Sequence, residues 1–195
     1  MVARLAARGA RVLDADDVAH RALEPGTPAH QAVREAFGPR YEKADGTLDR
    51  ALLARLVFAD AGARATLEAI VHPVVEQAVR AAIAANGPGE VLVVEAALLV
   101  ERDARRRYGL DGLIVVDAPE EVALARLVGR GMDPADARAR LAAQASRGER
   151  LRAADYVILN VGTLAELDEM ADAAWAWIGR LADGPDAESP SAATS

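Results

Sequence analysis

Four short apolar runs each end on a polar side chain that can do chemistry. Val12-Leu13 leads into Asp14-Ala15-Asp16, residues 91–94 into Glu95, residues 113–116 into Asp117, and residues 156–159 into Asn160. In open parallel sheets ligands bind at the carboxyl ends of the strands, where a carboxylate can take a proton or coordinate a metal ion. One polar residue at a strand end needs no functional reason, because chains turn polar there. Three acidic ends together point to a cleft. Two carboxylates at i and i+2 on an extended strand face the same way, so Asp14 and Asp16 can share a metal ion or divide the parts of nucleophile and acid. On the basic side Lys43 is the only lysine, placed between Tyr41 and Asp45-Gly46, far from any glycine-rich strand–helix turn. Phosphate binding therefore falls to arginine, whose planar fork gives bidentate contact to oxygens.

These residues need elements to hold them. Residues 2–8 read as a short helix ended by Gly9, since glycine takes the left-handed C′ conformation without steric cost. Residues 12–16 read as a strand, and 17–23 as a helix stopped by Glu24-Pro25-Gly26. A further amphipathic helix covers 28–37, and Asp45-Gly46 marks a turn. From 49 to 86 the pattern is helical, with breaks expected at Asp60-Ala61-Gly62 and at His72-Pro73. Pro73 is expected in the first turn of a new helix, where its missing N–H costs nothing. The runs 91–94, 113–116 and 156–159 are continuous and apolar rather than alternating, which predicts strands covered on both faces, as in a parallel sheet. Helices are expected over 119–130 and 163–181. Strand–helix alternation with right-handed crossovers gives a doubly wound parallel α/β sheet. One domain is expected over 1–182, followed by a disordered tail, 183–195, rich in Pro, Ser and Ala.

Composition narrows the classes. The 195 residues carry 23 Lys and Arg against 30 Asp and Glu, a net charge of −7, and 52% are hydrophobic. Such a chain can bury a sizeable core. No cysteine is present, which excludes disulfides, thiolate metal sites and thiol nucleophiles. No apolar run nears the ~20 residues of a membrane-spanning helix. A cytoplasmic location is expected, with no nucleic-acid or membrane partner; the acidic balance argues against a broad nucleic-acid-binding face.

The segment DADDV, residues 14–18, fits the loose D-x-D-x-[TV] pattern of haloacid-dehalogenase-type phosphatases. That reading makes Asp14 the nucleophile of a Mg²⁺-dependent hydrolysis. It needs the motif on the first strand and a second acidic pair; VARLAARG precedes it here, and no second pair follows a strand. The ordered succession DAD, EPGTP, ADGTLDRALLARLVF, IVHPVV, EAALLVE, RGM…AAQ and ADYVILNVG resembles the dephospho-CoA kinase family instead. The resemblance covers residues 2 to 178. It implies a P-loop kinase fold of the nucleoside-monophosphate-kinase type. The implied activity is transfer of the ATP γ-phosphate to the ribose 3′-hydroxyl of dephospho-CoA, with Mg²⁺. By the same resemblance Asp16 is the base and Arg126 faces the phosphates. Arg140 and Arg147 belong to a lid over 130–150, and Asn160 and Gly162 to the loop near the adenine. Asp14, His72, Leu98 and Glu101 line the acceptor site, within or beside a helical acceptor-binding region at 25–86.

The sequence departs from the family in two places. Ala97 stands where the family has proline before Leu-Leu. More severely, G-x-x-x-x-G-K-[ST], whose backbone N–H groups cradle the β-phosphate, occurs nowhere in the sequence. VARLAARG matches the helix that follows that loop. The expectation is that a first, central strand and the loop, roughly 13–15 residues, precede Met1 in the true reading frame. Without them the neighbouring strands would leave main-chain groups unpaired at about 1–3 kcal/mol each, and little ATP turnover is expected. A non-catalytic module that binds the coenzyme A precursor is a further alternative.

Overall fold

A computed structural model describes residues 1–97, 99–100 and 103–183. Leu98, Glu101 and the tail from 184 on lie outside the described residues. In chain order the elements are α1 (Val2–Ala6), β1 (Arg11–Asp14), α2 (Ala15–Ala22), α3 (Pro28–Phe37), a 3-10 turn (Pro39–Tyr41), α4 (Arg50–Ala59) and α5 (Ala61–Ala84). Then follow β2 (Leu92–Glu95), α6 (Ala104–Tyr108), β3 (Ile114–Asp117), α7 (Glu120–Gly129), α8 (Pro134–Ala142), α9 (Arg147–Ala153), β4 (Tyr156–Leu159) and α10 (Leu164–Asp183).

Short polar side chains start most of the longer helices, each by satisfying N–H groups that have no partner within the helix. Asp14 caps α2, Thr27 caps α3 with Pro28 behind it, Asp49 caps α4 and Asp60 caps α5. Asp133 caps α8, and Ser146 opens α9 with a reciprocal capping box to Glu149.

The residues group into two compact units. One comprises Val12–Gly87 with Val94–Ala96; the other comprises Met1–Arg11, Pro88–Val93 and the described residues from Ala97 on. In the first, α2, α3 and α4 pack against the long helix α5. Val33, Tyr41, Leu48 and Leu53 form its buried centre, each no more than 3% exposed. His30 is also buried, and its Nε2 lies 3.0 Å from the Gly46 carbonyl, tying α3 to the turn that the sequence marks at Asp45-Gly46.

In the second unit β3 and β4 pair in parallel, with Ile114 opposite Tyr156 and Asp117 opposite Leu159. Side chains alternate between faces with period two. Ile114, Tyr156 and Ile158 meet the core made with Leu5, Leu167 and Ala174, so one face of the pair lies on α10. The other face carries Val115 and Asp117, and α9 packs on β3. Two ion pairs fasten α1 and the turn after it to α10, Arg4–Asp168 at 2.6 Å and Arg8–Asp172 at 2.7 Å.

Three sequence expectations are corrected. The DAD element is not extended throughout, because β1 stops at Asp14 and Ala15 already belongs to α2. The cause is Asp14 itself, which caps the helix and so begins it. No helix starts at Pro73: α5 runs through it, although proline there removes one intrahelical bond. His72 is therefore a mid-helix residue. Nor are the apolar strands covered on both faces. Val12, Val116, Val157 and Leu159 remain 39%, 44%, 39% and 48% exposed. Among the described residues each sheet has two strands, β1 with β2 and β3 with β4, so every strand has one edge without a strand neighbour. Continuous apolar character does not by itself bring two-sided cover.

Candidate active site

The site residues fall on both units, and each group has its own local architecture. In the helical unit the carboxyl ends of β1 and β2 carry Asp14 and Glu95, and Asp16 follows in the first turn of α2. Asp14 Oδ1 accepts the backbone N–H groups of Asp16 at 2.9 Å and Asp17 at 3.1 Å. Its carboxylate thus has a structural task, while the exposed Asp16 side chain stands one step along on the helix end. Partial desolvation raises the Glu95 pKa, and the neighbouring charges of Asp14 and Asp16 push it the same way. The shift is that of Glu95 alone, a carboxylate whose charged form is disfavoured beside two others. His72 is half-buried in α5. Leu98 and Glu101 lie outside the described residues.

In the other unit the carboxyl ends of β3 and β4 gather three of the expected nucleotide-side residues. Asp117 is 1% exposed, and its carboxylate takes Arg147 Nε at 3.0 and 2.9 Å and Nη2 at 2.6 Å. The hydrogen bond and charge of Asp117 raise the Arg147 pKa further above its ordinary value. The Asp117 carbonyl accepts the Asn160 N–H at 2.7 Å, and the Asn160 carbonyl accepts Arg126 Nη1 at 2.6 Å. Asp117 thus holds both Arg147 and Asn160, and Asn160 in turn holds Arg126. Arg140 stands apart from that chain of bonds, exposed in the last turn of α8. Gly162 is exposed, and a Cβ there would collide with Glu166 Oε2. The glycine leaves room for its neighbour's carboxylate, which would have to shift for any larger residue.

The sequence names Asp117 and Glu95 as strand-end acids but assigns them no partner. The pairing of Asp117 with Arg147 spans 30 residues, and no local periodicity reports a contact of that separation. The available signals are the acid closing an apolar strand and the arginine directly after a serine cap.

An α/β chain with parallel strands, strand-end acids and arginine-bearing helices has the makings of a small-molecule phosphotransferase. The comparisons give the particular one. Residues 1–166 match the family model CoaE, dephospho-CoA kinase. The dephospho-CoA kinase of Methylococcus capsulatus is 51% identical over 174 residues, 88% of this chain and 86% of that protein. That of Frankia casuarinae is 45% identical over 171 residues, 88% of this chain and 74% of that protein. Among solved structures, TT1252 from Thermus thermophilus superposes with a TM-score of 0.76 at 33% identity, covering 91% of this chain and 89% of that one. The dephospho-CoA kinase from Campylobacter jejuni shares the fold, with a TM-score of 0.65 at 24% identity and coverage of 92% and 90%. The chain belongs to the dephospho-CoA kinase family, and its fold is the α/β fold of these kinases.

Proposed function

We propose that this chain takes part in phosphorylating the ribose 3′-hydroxyl of dephospho-CoA with ATP, giving coenzyme A and ADP; the G-x-x-x-x-G-K-[ST] loop is not among its residues, so turnover is expected to be low. The family match over residues 1–166 carries this reading. Asp16, exposed at the start of α2, takes the proton of the 3′-hydroxyl. The new O–P bond then forms at the γ-phosphorus as the bond to the β,γ-bridging oxygen breaks, and ADP leaves. Such transfers rest mostly on positioning and on charge neutralisation. Arg126, Arg147 and the more distant Arg140 are the groups for that charge, on a lid spanning 130–150 and the helix before it. The loop holding Asn160 and Gly162 takes the adenine. The region 25–86, with Asp14 and His72, holds the acceptor; Leu98 and Glu101 are assigned there by resemblance alone.

Arginine suits phosphate oxygens, so the donor set fits the ATP polyphosphate. Mg²⁺ supplies further charge neutralisation when it accompanies ATP. Among the described residues no group of three or more His, Asp or Glu could hold a metal ion, and no side chain is assigned to it. No helix among the described residues is long and apolar enough to cross a membrane; a cytoplasmic location is part of the proposal.

Calorimetry with dephospho-CoA, followed by an assay of ADP release with mass identification of coenzyme A, tests the reading. Dephospho-CoA is expected to bind, and Asp16→Asn to lower the rate of ADP release by on the order of 100-fold while sparing that binding. Absence of both dephospho-CoA binding and dephospho-CoA-dependent ADP release would overturn the proposal.

A further inference from the structure

Asp117 has no assigned part in the reaction, yet it is the most deeply buried acid among the described residues, its side chain 0% exposed. A buried carboxylate is costly unless its charge is met and its lone pairs are satisfied. Arg147 meets that demand side-on, through Nε and Nη2 alone. Nη1 takes no part in the pairing, and the Arg147 side chain is 52% exposed. The carboxylate therefore grips one edge of the guanidinium and leaves the other toward solvent. On its main-chain side Asp117 receives Asn160, which in turn receives Arg126. All of this lies at the carboxyl ends of β3 and β4, where open sheets bind ligands.

We infer that Asp117 is a positioning residue for the nucleotide. It holds Arg147 by Nε and Nη2, so that Nη1 is presented, already oriented, to the phosphate oxygens beyond the α-phosphate. The inference rests on the reading of Arg147 as phosphate-binding given above. An unrestrained arginine would lose its rotamer freedom on meeting the phosphate; here that ordering is done in folding, and the ligand does not bear its cost. A clasp serving only to fasten α9 to β3 would need the same ion pair but would not discriminate between nucleotides.

The experiment uses the whole chain, labelled with ¹⁵N, and titrations of ATP and AMP with Mg²⁺ followed by calorimetry. The Arg147 Nε–H resonance, assigned by its loss in Arg147→Lys, is expected to be resolved and slowly exchanging, and to be lost in Asp117→Asn. Asp117→Asn is expected to weaken ATP on the order of 10-fold and AMP less than twofold. Added to Arg147→Lys it should weaken ATP no further. Equal weakening of ATP and AMP makes Asp117 merely structural and overturns the inference. So does unchanged ATP affinity in Asp117→Asn beside a loss in Arg147→Lys. If Arg147→Lys itself leaves ATP affinity unchanged, or the native chain binds no ATP, the reading of Arg147 falls and the inference with it. Should Asp117→Asn fail to fold, the native protein decides. Saturating ATP must leave the Nε–H resonance in its Asp117-bonded state, and release of that bond on ATP binding overturns the inference.

Discussion

Arg126 donates from Nη1 to the main-chain carbonyl of Asn160 at 2.6 Å, across 34 residues of sequence. A guanidinium spending a short charged bond on a carbonyl anchors the loop after β4. Arg126→Ala is expected to destabilise the protein by about 1–3 kcal/mol, the range for a part-buried bond involving a charged group. It should also weaken ATP and AMP by similar factors, since both depend on the same loop. Urea unfolding and calorimetry read the two effects; a loss confined to ATP would show that Arg126 acts on the terminal phosphates alone.

Glu95 gives a prediction whose sign depends on pH. Its pKa is raised by desolvation and by Asp14 and Asp16, so the folded protein holds that proton more tightly than the unfolded chain. The associated stability is fully present below the ordinary glutamate range and is lost as pH rises through the raised value. Above the ordinary glutamate range the charged form meets unfavourable surroundings. Glu95→Gln is expected to raise Tm at pH 7 by about 1–2 °C, a small effect because the group is exposed. Near pH 4 it should change Tm little. Thermal melts at both values check it; a fall in Tm at pH 7 would contradict the coupling.

Legibility in the sequence follows the range of the force concerned. β4 lies where its apolar run places it, at Tyr156–Leu159, because the run is local to those residues. Pro73 is misread as a boundary because its local preference is overridden along a helix whose neighbours α2, α3 and α4 pack against it. Strand burial is misread because cover is supplied by other elements, and Val157 and Leu159 face away from α10. Within the site the strand-end acids are legible as types. Their partners are not, since Asp117–Arg147 and Arg126–Asn160 depend on the register of β3 against β4.

Asp14 separates capping from chemistry. Its carboxylate accepts the N–H groups of Asp16 and Asp17, a task asparagine performs nearly as well and alanine cannot. Asp14→Ala is expected to cost about 1 kcal/mol and to speed amide exchange in α2, while Asp14→Asn keeps both near native. Hydrolysis of a generic phosphate ester by the native protein, abolished in Asp14→Asn, would make Asp14 a nucleophile instead.

Gly162, in the loop after β4, lies beside the carboxylate of Glu166. Glu166 Oε2 accepts the Thr163 N–H at 2.6 Å and its hydroxyl at 2.9 Å, and the Glu166 N–H returns a bond to Thr163 Oγ1 at 3.2 Å. This reciprocal box starts α10, and the bonds from Thr163 lower the Glu166 pKa. A Cβ at position 162 would press on that carboxylate. Because the obstacle is the end of a flexible side chain, Gly162→Ala should fold by expelling it, and the box is what is lost. The same loss follows from Glu166→Ala, so the two variants are expected to lower Tm by similar amounts at pH 7, and the double variant by scarcely more. A lowered carboxylate pKa contributes stability above the ordinary glutamate range that disappears as pH falls through the lowered value. Both variants should therefore converge on the native protein in acid, their deficit opening as pH rises. Additive losses, or a deficit independent of pH, would place the cost of an alanine at 162 in the backbone and not in the Glu166 cap.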